Sequence, residues 1–150
     1  MASQLKQRIQ EDVTAAMRAR DKPRLSALRL VTAAIKQLEV DSRTQLDDPD
    51  VLRVLEKMLK QRRDSLRQYS DAGRQDLADQ ESYEIAIIEA YMPEALTAGE
   101  LEALIDAAIA ETGANSIRDM GKVMGLLKSR VQGRADLGAV SATVKQKLNG

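Results

Sequence analysis

The sequence predicts an all-α protein: a four-helix N-terminal domain over residues 1–93, then a small three-helix C-terminal domain over residues 97–150. Three observations predict it. Apolar residues recur every three or four positions from end to end, the period of one helix face. No stretch alternates apolar and polar residues over the length of a strand. The three prolines sit where helices begin or stop: Pro23 and Pro49 just after an aspartate, Pro93 at the close of an apolar run.

Each element follows from its own residues. Leu5, Ile9, Val13 and Met17 form the stripe of a first helix, with Ser3 as its N-cap. Asp21-Lys22-Pro23 ends it and caps a second, carried by Leu25, Leu28, Val31, Ile35 and Leu38 to about Val40. After a polar stretch, Asp48-Pro49 opens a third helix with Leu52, Leu55, Met58, Leu59, Leu66 and Tyr69, stopped at Gly73. A fourth runs from about Gln75 to Met92 through Leu77, Ile85, Ile88 and Tyr91. The link from Pro93 to Thr97 is the clearest boundary.

Beyond it, Thr97 and Glu100 have capping-box spacing. Leu101, Leu104, Ile105, Ala108 and Ile109 follow, and Gly113 closes the helix. Asn115 or Ser116 caps the next, with Ile117, Met120, Val123, Met124 and Leu127, ending near Gly133. Asp136 caps the last, with Leu137, Val140, Val144 and Leu148.

Composition excludes several chemistries. Hydrophobic residues are 43% and charged residues 31%, the mix of a globular protein. There is no cysteine, hence no disulfide, thiolate metal site or cysteine nucleophile, and no histidine, hence no Ser-His-Asp triad. With no Trp, no Phe and only Tyr69, Tyr83 and Tyr91, an aromatic base-stacking platform has little to build with. No apolar run is long enough for a membrane span, and the charged N-terminus has no secretory leader. These features lead to the expectation of a cytoplasmic protein.

Zero net charge hides an uneven distribution. Arg53 to Arg67 is cationic and Asp71 to Glu89 anionic, which suggests pairing between two helices. Residues 94–114 hold five anions and no cation, and the basic residues of the tail lie after them. Among the carboxylates only Glu89, within Ile-Ala-Ile-Ile-Glu-Ala-Tyr-Met, sits in an apolar context that could raise its pKa. A surface position at a helix contact explains it better. Asp47 to Asp50 resembles a loop ligand set but reads more simply as a helix start, so neither a metal nor a cofactor is expected.

Two segments of the tail carry more specific expectations. Gly121 and Gly125 lie inside a predicted helix, where each costs about 1 kcal/mol relative to Ala. Close packing of a neighbouring helix, or access of a ligand to the backbone beside Lys122, would offset that cost. From Lys128 through Arg130, Gly133 and Arg134 to Asp136, a helix ends and another begins among cations. That is a reasonable surface for a phosphate backbone and equally an ordinary helical corner.

The residues Met120-Gly121-Lys122-Val123-Met124-Gly125, Gly133-Arg134-Ala135-Asp136, Val140-Ser141 and Val144-Lys145 resemble the C-terminal motif of the GatB/YqeY family. Arg29, Leu30 and Lys36, Tyr69 with Gly73, and Glu84 through Pro93 are similar to its front half. The resemblance departs at Leu137, between Asp136 and Gly138. It implies a helical domain followed by a tail similar to that of the GatB component of the glutamine-dependent aminoacyl-tRNA amidotransferase, which grips tRNA while the chemistry lies elsewhere. No catalytic residue for such a carbon–nitrogen ligase is found here.

The expectation is a non-enzymatic, tRNA-associated protein contacting phosphates through Lys122, Lys128, Arg130, Arg134, Lys145 and Lys147. The alternatives are an accessory to such a ligase without its own active site, or an adaptor that offers Met120, Met124 and Leu127 to a protein partner.

Overall fold

In the computed structural model, which describes residues 3–149, the chain is all-helical: no strand occurs among the described residues. The helices are α1 (Gln4–Ala19), α2 (Lys22–Ser42), α3 (Asp48–Asp71), α4 (Gln75–Glu89), α5 (Ala98–Thr112), α6 (Met120–Val131) and α7 (Leu137–Asn149). A single 3₁₀ turn, Ile117–Asp119, precedes α6. They form two compact units, residues 1–92 and 93–150, each with its own apolar core.

The first unit joins α1–α2 to α3–α4 around Ile9, Leu28, Val31, Ile35, Val51, Leu55 and Ile88, all essentially inaccessible. Met17, expected in the stripe of α1, is instead 52% exposed, and Ala16 takes the buried place. Four-residue steps overshoot the helical turn by about 40° each, so Met17 has drifted about 80° from Ile9, whereas Ala16 is about 20° from it. Leu38 is 40% exposed although it lies only about 20° around α2 from the buried Val31, so phase does not account for it.

The caps of α1 and α2 are the predicted residues, whereas the predicted Asn115 or Ser116 caps nothing: Ser116 precedes the 3₁₀ turn without a side-chain cap bond, and α6 starts after Asp119. Ser3 Oγ accepts from Lys6 N–H at 3.0 Å, and Asp21 accepts from Arg24 N–H at 3.2 Å. The start of α3 is displaced by one residue from expectation: Asp47, not Asp48, is the N-cap and forms a capping box with Asp50. Asp48 is thereby released to reach α1, accepting from Ser3 Oγ and from Leu5 N–H, the latter at 3.1 Å. At the other end Tyr91 is buried, with its hydroxyl donating to Asp12 and the Arg8 guanidinium 4.9 Å above its ring. Burial and the Asp12 carboxylate both push the Tyr91 phenol well above its usual range. α4 ends at Glu89, earlier than predicted, and turns carry the chain on to Met92.

The second unit packs α5, α6 and α7 around Ile105, Val123, Leu127, Val131, Val140 and Val144. Thr97 and Glu100 form the expected capping box, and Gly113 leaves α5 at φ 67°. Leu96 belongs with this unit: it packs on its core and donates its N–H to Arg134 O at 2.9 Å.

Candidate nucleic-acid interface

Half of the six cations expected to meet phosphate are occupied by the protein itself. Arg130 Nη1 lies 2.7 Å from Glu111, Arg134 Nε donates to the Glu94 carbonyl at 2.9 Å, and Lys147 Nζ bridges Asp106 at 2.7 Å and Glu102 at 3.2 Å. These two carboxylates, Asp106 foremost, hold the Lys147 ammonium above its usual pKa. The acidic α5 thus meets the basic residues of α6 and α7. Much of the charge asymmetry read along the chain closes on itself.

Lys122, Lys128 and Lys145 are exposed and make no side-chain ion pair or hydrogen bond among the described residues. They do not share one face: Lys122 and Lys128 project about 120° apart around α6. Gly121, Gly125 and Lys128 do fall within about 60° of each other.

The glycines resolve differently from the expectation of close packing. A Cβ placed at Gly121 or Gly125 would meet nothing within 4 Å, so no neighbouring helix of the described chain requires either of them. Both are exposed. Gly125 lies in an open depression between the end of α5 and α6, with Lys122 and Arg130 beside it and Glu111 and Thr112 opposite. Gly133 has a separate role: at φ 74° it makes the left-handed turn that separates α6 from α7. Asp136 then accepts from Gly138 N–H at 3.3 Å, as expected of the residue that starts α7.

Of the methionine stripe, Leu127 is inaccessible in the core, and Met120 and Met124 are half-buried against the same cluster.

The pairing expected between the cationic run of α3 and the anionic run of α4 forms, and it includes one buried pair. Glu84, not Glu89, is the buried carboxylate of α4; its Oε2 accepts from Arg62 Nε of α3 at 3.0 Å. Glu81, one turn earlier, has a buried Oε2 without a hydrogen-bond partner. Burial first, and then the Glu84 charge, push the Glu81 carboxyl above its usual range. Glu89 is half-exposed and pairs with Arg63 at 2.8 Å. Among the described residues, no three acidic side chains converge in a way that could hold a metal ion.

The family model described as Yqey-like protein matches residues 6–148 of the chain. Curated relatives bear the name altered inheritance of mitochondria protein 41, mitochondrial. The protein of Pyrenophora tritici-repentis is 29% identical over 85% of this chain and 71% of its own length. That of Eremothecium gossypii is 35% identical over 69% of this chain and 58% of its own length. That of Kluyveromyces lactis is 36% identical over 55% of this chain and 45% of its own length. The chain therefore spans about half the length of several curated relatives that it matches. The cytoplasmic expectation is overturned by these names, which are those of mitochondrial proteins. The absence of cysteine does not separate one reducing compartment from another. Among the described residues, no helix is long and apolar enough to cross a membrane.

Proposed function

The chain belongs to the YqeY-like protein family, and from that premise we propose that it is a non-enzymatic protein that associates with tRNA through its C-terminal unit. The observation that carries the reading is the depression at Gly125. A helical glycine that no neighbour requires, exposed between Lys122 and Arg130, is what the approach of a ligand's backbone to a helix would select. The motif similar to the amidotransferase tail runs through the same residues.

The paired cations remain usable. Arg130 and Glu111 are exposed by 34% and 53%, and a pair that open contributes about 1 kcal/mol or less, so a phosphate can displace the carboxylate. Lys122 and Lys128 need no such exchange. Contacts of this kind position a nucleic acid by shape and charge and read little sequence.

The test is anisotropy of labelled tRNA with the full chain across a salt titration, with a DNA duplex as control. Saturable, tRNA-preferring binding is expected. Replacing Lys122 and Arg130 by Ala is expected to flatten the log–log salt slope by about 1.5, the loss of two phosphate contacts. An unchanged slope and affinity would overturn the assignment. Absence of binding at low salt would turn the search to protein partners.

A further inference from the structure

A second basic surface lies in the first unit, on the hairpin of α1 and α2. Between Val13 and Leu38 the chain holds six cations, Arg18, Arg20, Lys22, Arg24, Arg29 and Lys36, and one anion, Asp21. That anion is spent as the N-cap of α2. Further along the hairpin a groove runs between the helices, with Lys6 and Gln10 on one side and Arg29, Ala33, Lys36 and Glu39 on the other.

The groove's charge is decided by its one acid. Glu39 accepts from Lys6 Nζ at 2.7 and 2.8 Å and from Leu46 N–H at 3.0 Å, so its oxygens are turned to partners within the protein. The Lys6 ammonium foremost, and the Leu46 amide, hold its carboxyl below the usual range. Lys6 and Glu39 cancel. Arg29 and Lys36 remain, exposed and with no side-chain partner among the described residues. They stand two turns apart on one face of α2, separated by about 10 Å of helix rise, and the small Ala33 between them leaves the way in open. Thr32 Oγ1 donates to the Arg29 carbonyl. The uncompensated charges of the groove are therefore the two cations Arg29 and Lys36.

We propose that this groove binds the phosphate backbone of RNA, as a contact separate from the one in the C-terminal unit. Two unpaired cations at this spacing suit an extended polyanion better than a single small anion. A lipid surface fits less well: the exposed apolar residues of α2, Val40, Leu30 and Leu38, fan over about 160° of the helix and make no single face to insert. The inference takes the identity of the polyanion from the proposed tRNA association, but it does not depend on the tail making contact.

The experiment uses the full chain in four forms: wild type, Arg29→Ala with Lys36→Ala, Lys122→Ala with Lys128→Ala, and the charge-preserving Arg29→Lys with Lys36→Arg. Each is titrated with labelled tRNA across salt and with anionic phosphatidylserine vesicles. The groove variant is expected to bind tRNA more weakly, with the log–log salt slope reduced by about 1.5. The charge-preserving exchange Arg29→Lys with Lys36→Arg is expected to retain that slope. If the groove variant loses slope while the tail variant does not, the groove stands and the tail reading falls. If only the tail variant loses it, the groove is overturned and the tail stands. Failure of the wild type to bind tRNA overturns both. Loss by the groove variant of vesicle binding alone makes the hairpin a lipid contact and overturns the RNA assignment. All four side chains are exposed, so circular dichroism is expected to show the fold unchanged in every variant.

Discussion

Replacing Gly125 by Ala is expected to make the protein more stable and a poorer ligand for tRNA at the same time. Gly125 is the sixth residue of the twelve-residue α6, where glycine is about 0.8–1.0 kcal/mol less favourable than alanine. A new methyl normally risks a clash that offsets such a gain. Here the Cβ position has no neighbour within 4 Å, so the whole gain is expected to survive. It corresponds to a rise in Tm of about 2–4 °C if the chain melts as one, or about 4–8 °C if the C-terminal unit melts by itself. Gly121, in the first turn of the same helix, should give a smaller rise. The same methyl occupies the open depression beside Lys122 and Arg130. If a phosphate backbone approaches there, losing that approach should weaken tRNA binding about five- to tenfold, or about 1–1.4 kcal/mol. Thermal melts by circular dichroism and anisotropy with labelled tRNA read the two quantities separately. A stabilised protein with unchanged affinity would refute backbone access as the reason for the glycine. A destabilised protein would refute the open environment from which the reasoning starts.

Five other substitutions test the remaining structure. Arg62→Ala should cost about 2–3 kcal/mol in urea unfolding, because it leaves Glu84 in a buried position without its partner. Glu81→Gln should add about 1 kcal/mol at pH 7, since a neutral side chain avoids the burial of a charge and the repulsion from Glu84. Because the folded state raises the Glu81 pKa, its favourable contribution is full below the unfolded value and is lost as pH rises through the folded one. The advantage of the Gln variant should therefore shrink toward pH 4. Leu127→Ala should destabilise by about 2–5 kcal/mol through a cavity in the second core, whereas Met17→Ala should change stability by about 0.5 kcal/mol or less. Thr97→Ala, which opens the capping box of α5, should cost about 1 kcal/mol.

The helices were legible because their periodicity and caps are local. Ser3, Asp21, Thr97 and Gly113 each act within a few residues of where they stand, and each sits at the helix end where its type is favoured. The misplaced details depend on what lies across the chain. Met17 continues an apolar pattern by spacing, but its phase on the helix puts it in solvent. Asp48 reads as a cap until α1 is seen to need its carboxylate. The candidate interface was legible as a list of cations and not as a surface. Sequence shows that α5 is acidic and that the later helices are basic. It does not show that Glu111 faces Arg130, or that Glu102 and Asp106 face Lys147. The glycines were noticed for the right reason, their cost inside a helix. The choice between packing and access needed the space around them.

Asp48 sets an order on the folding of the first unit. The opening of α1 has no complete partner set of its own: Leu5 N–H is satisfied by a carboxylate 43 positions further along the chain. α3 and α4 are joined by a turn of three residues and can pair early, as local contacts form faster than distant ones. The α1 terminus closes only when the head of α3 arrives beside it. Hydrogen exchange at the Leu5 amide should accordingly gain protection after the amides of the α3–α4 hairpin do, so this one hydrogen signals completion of the unit.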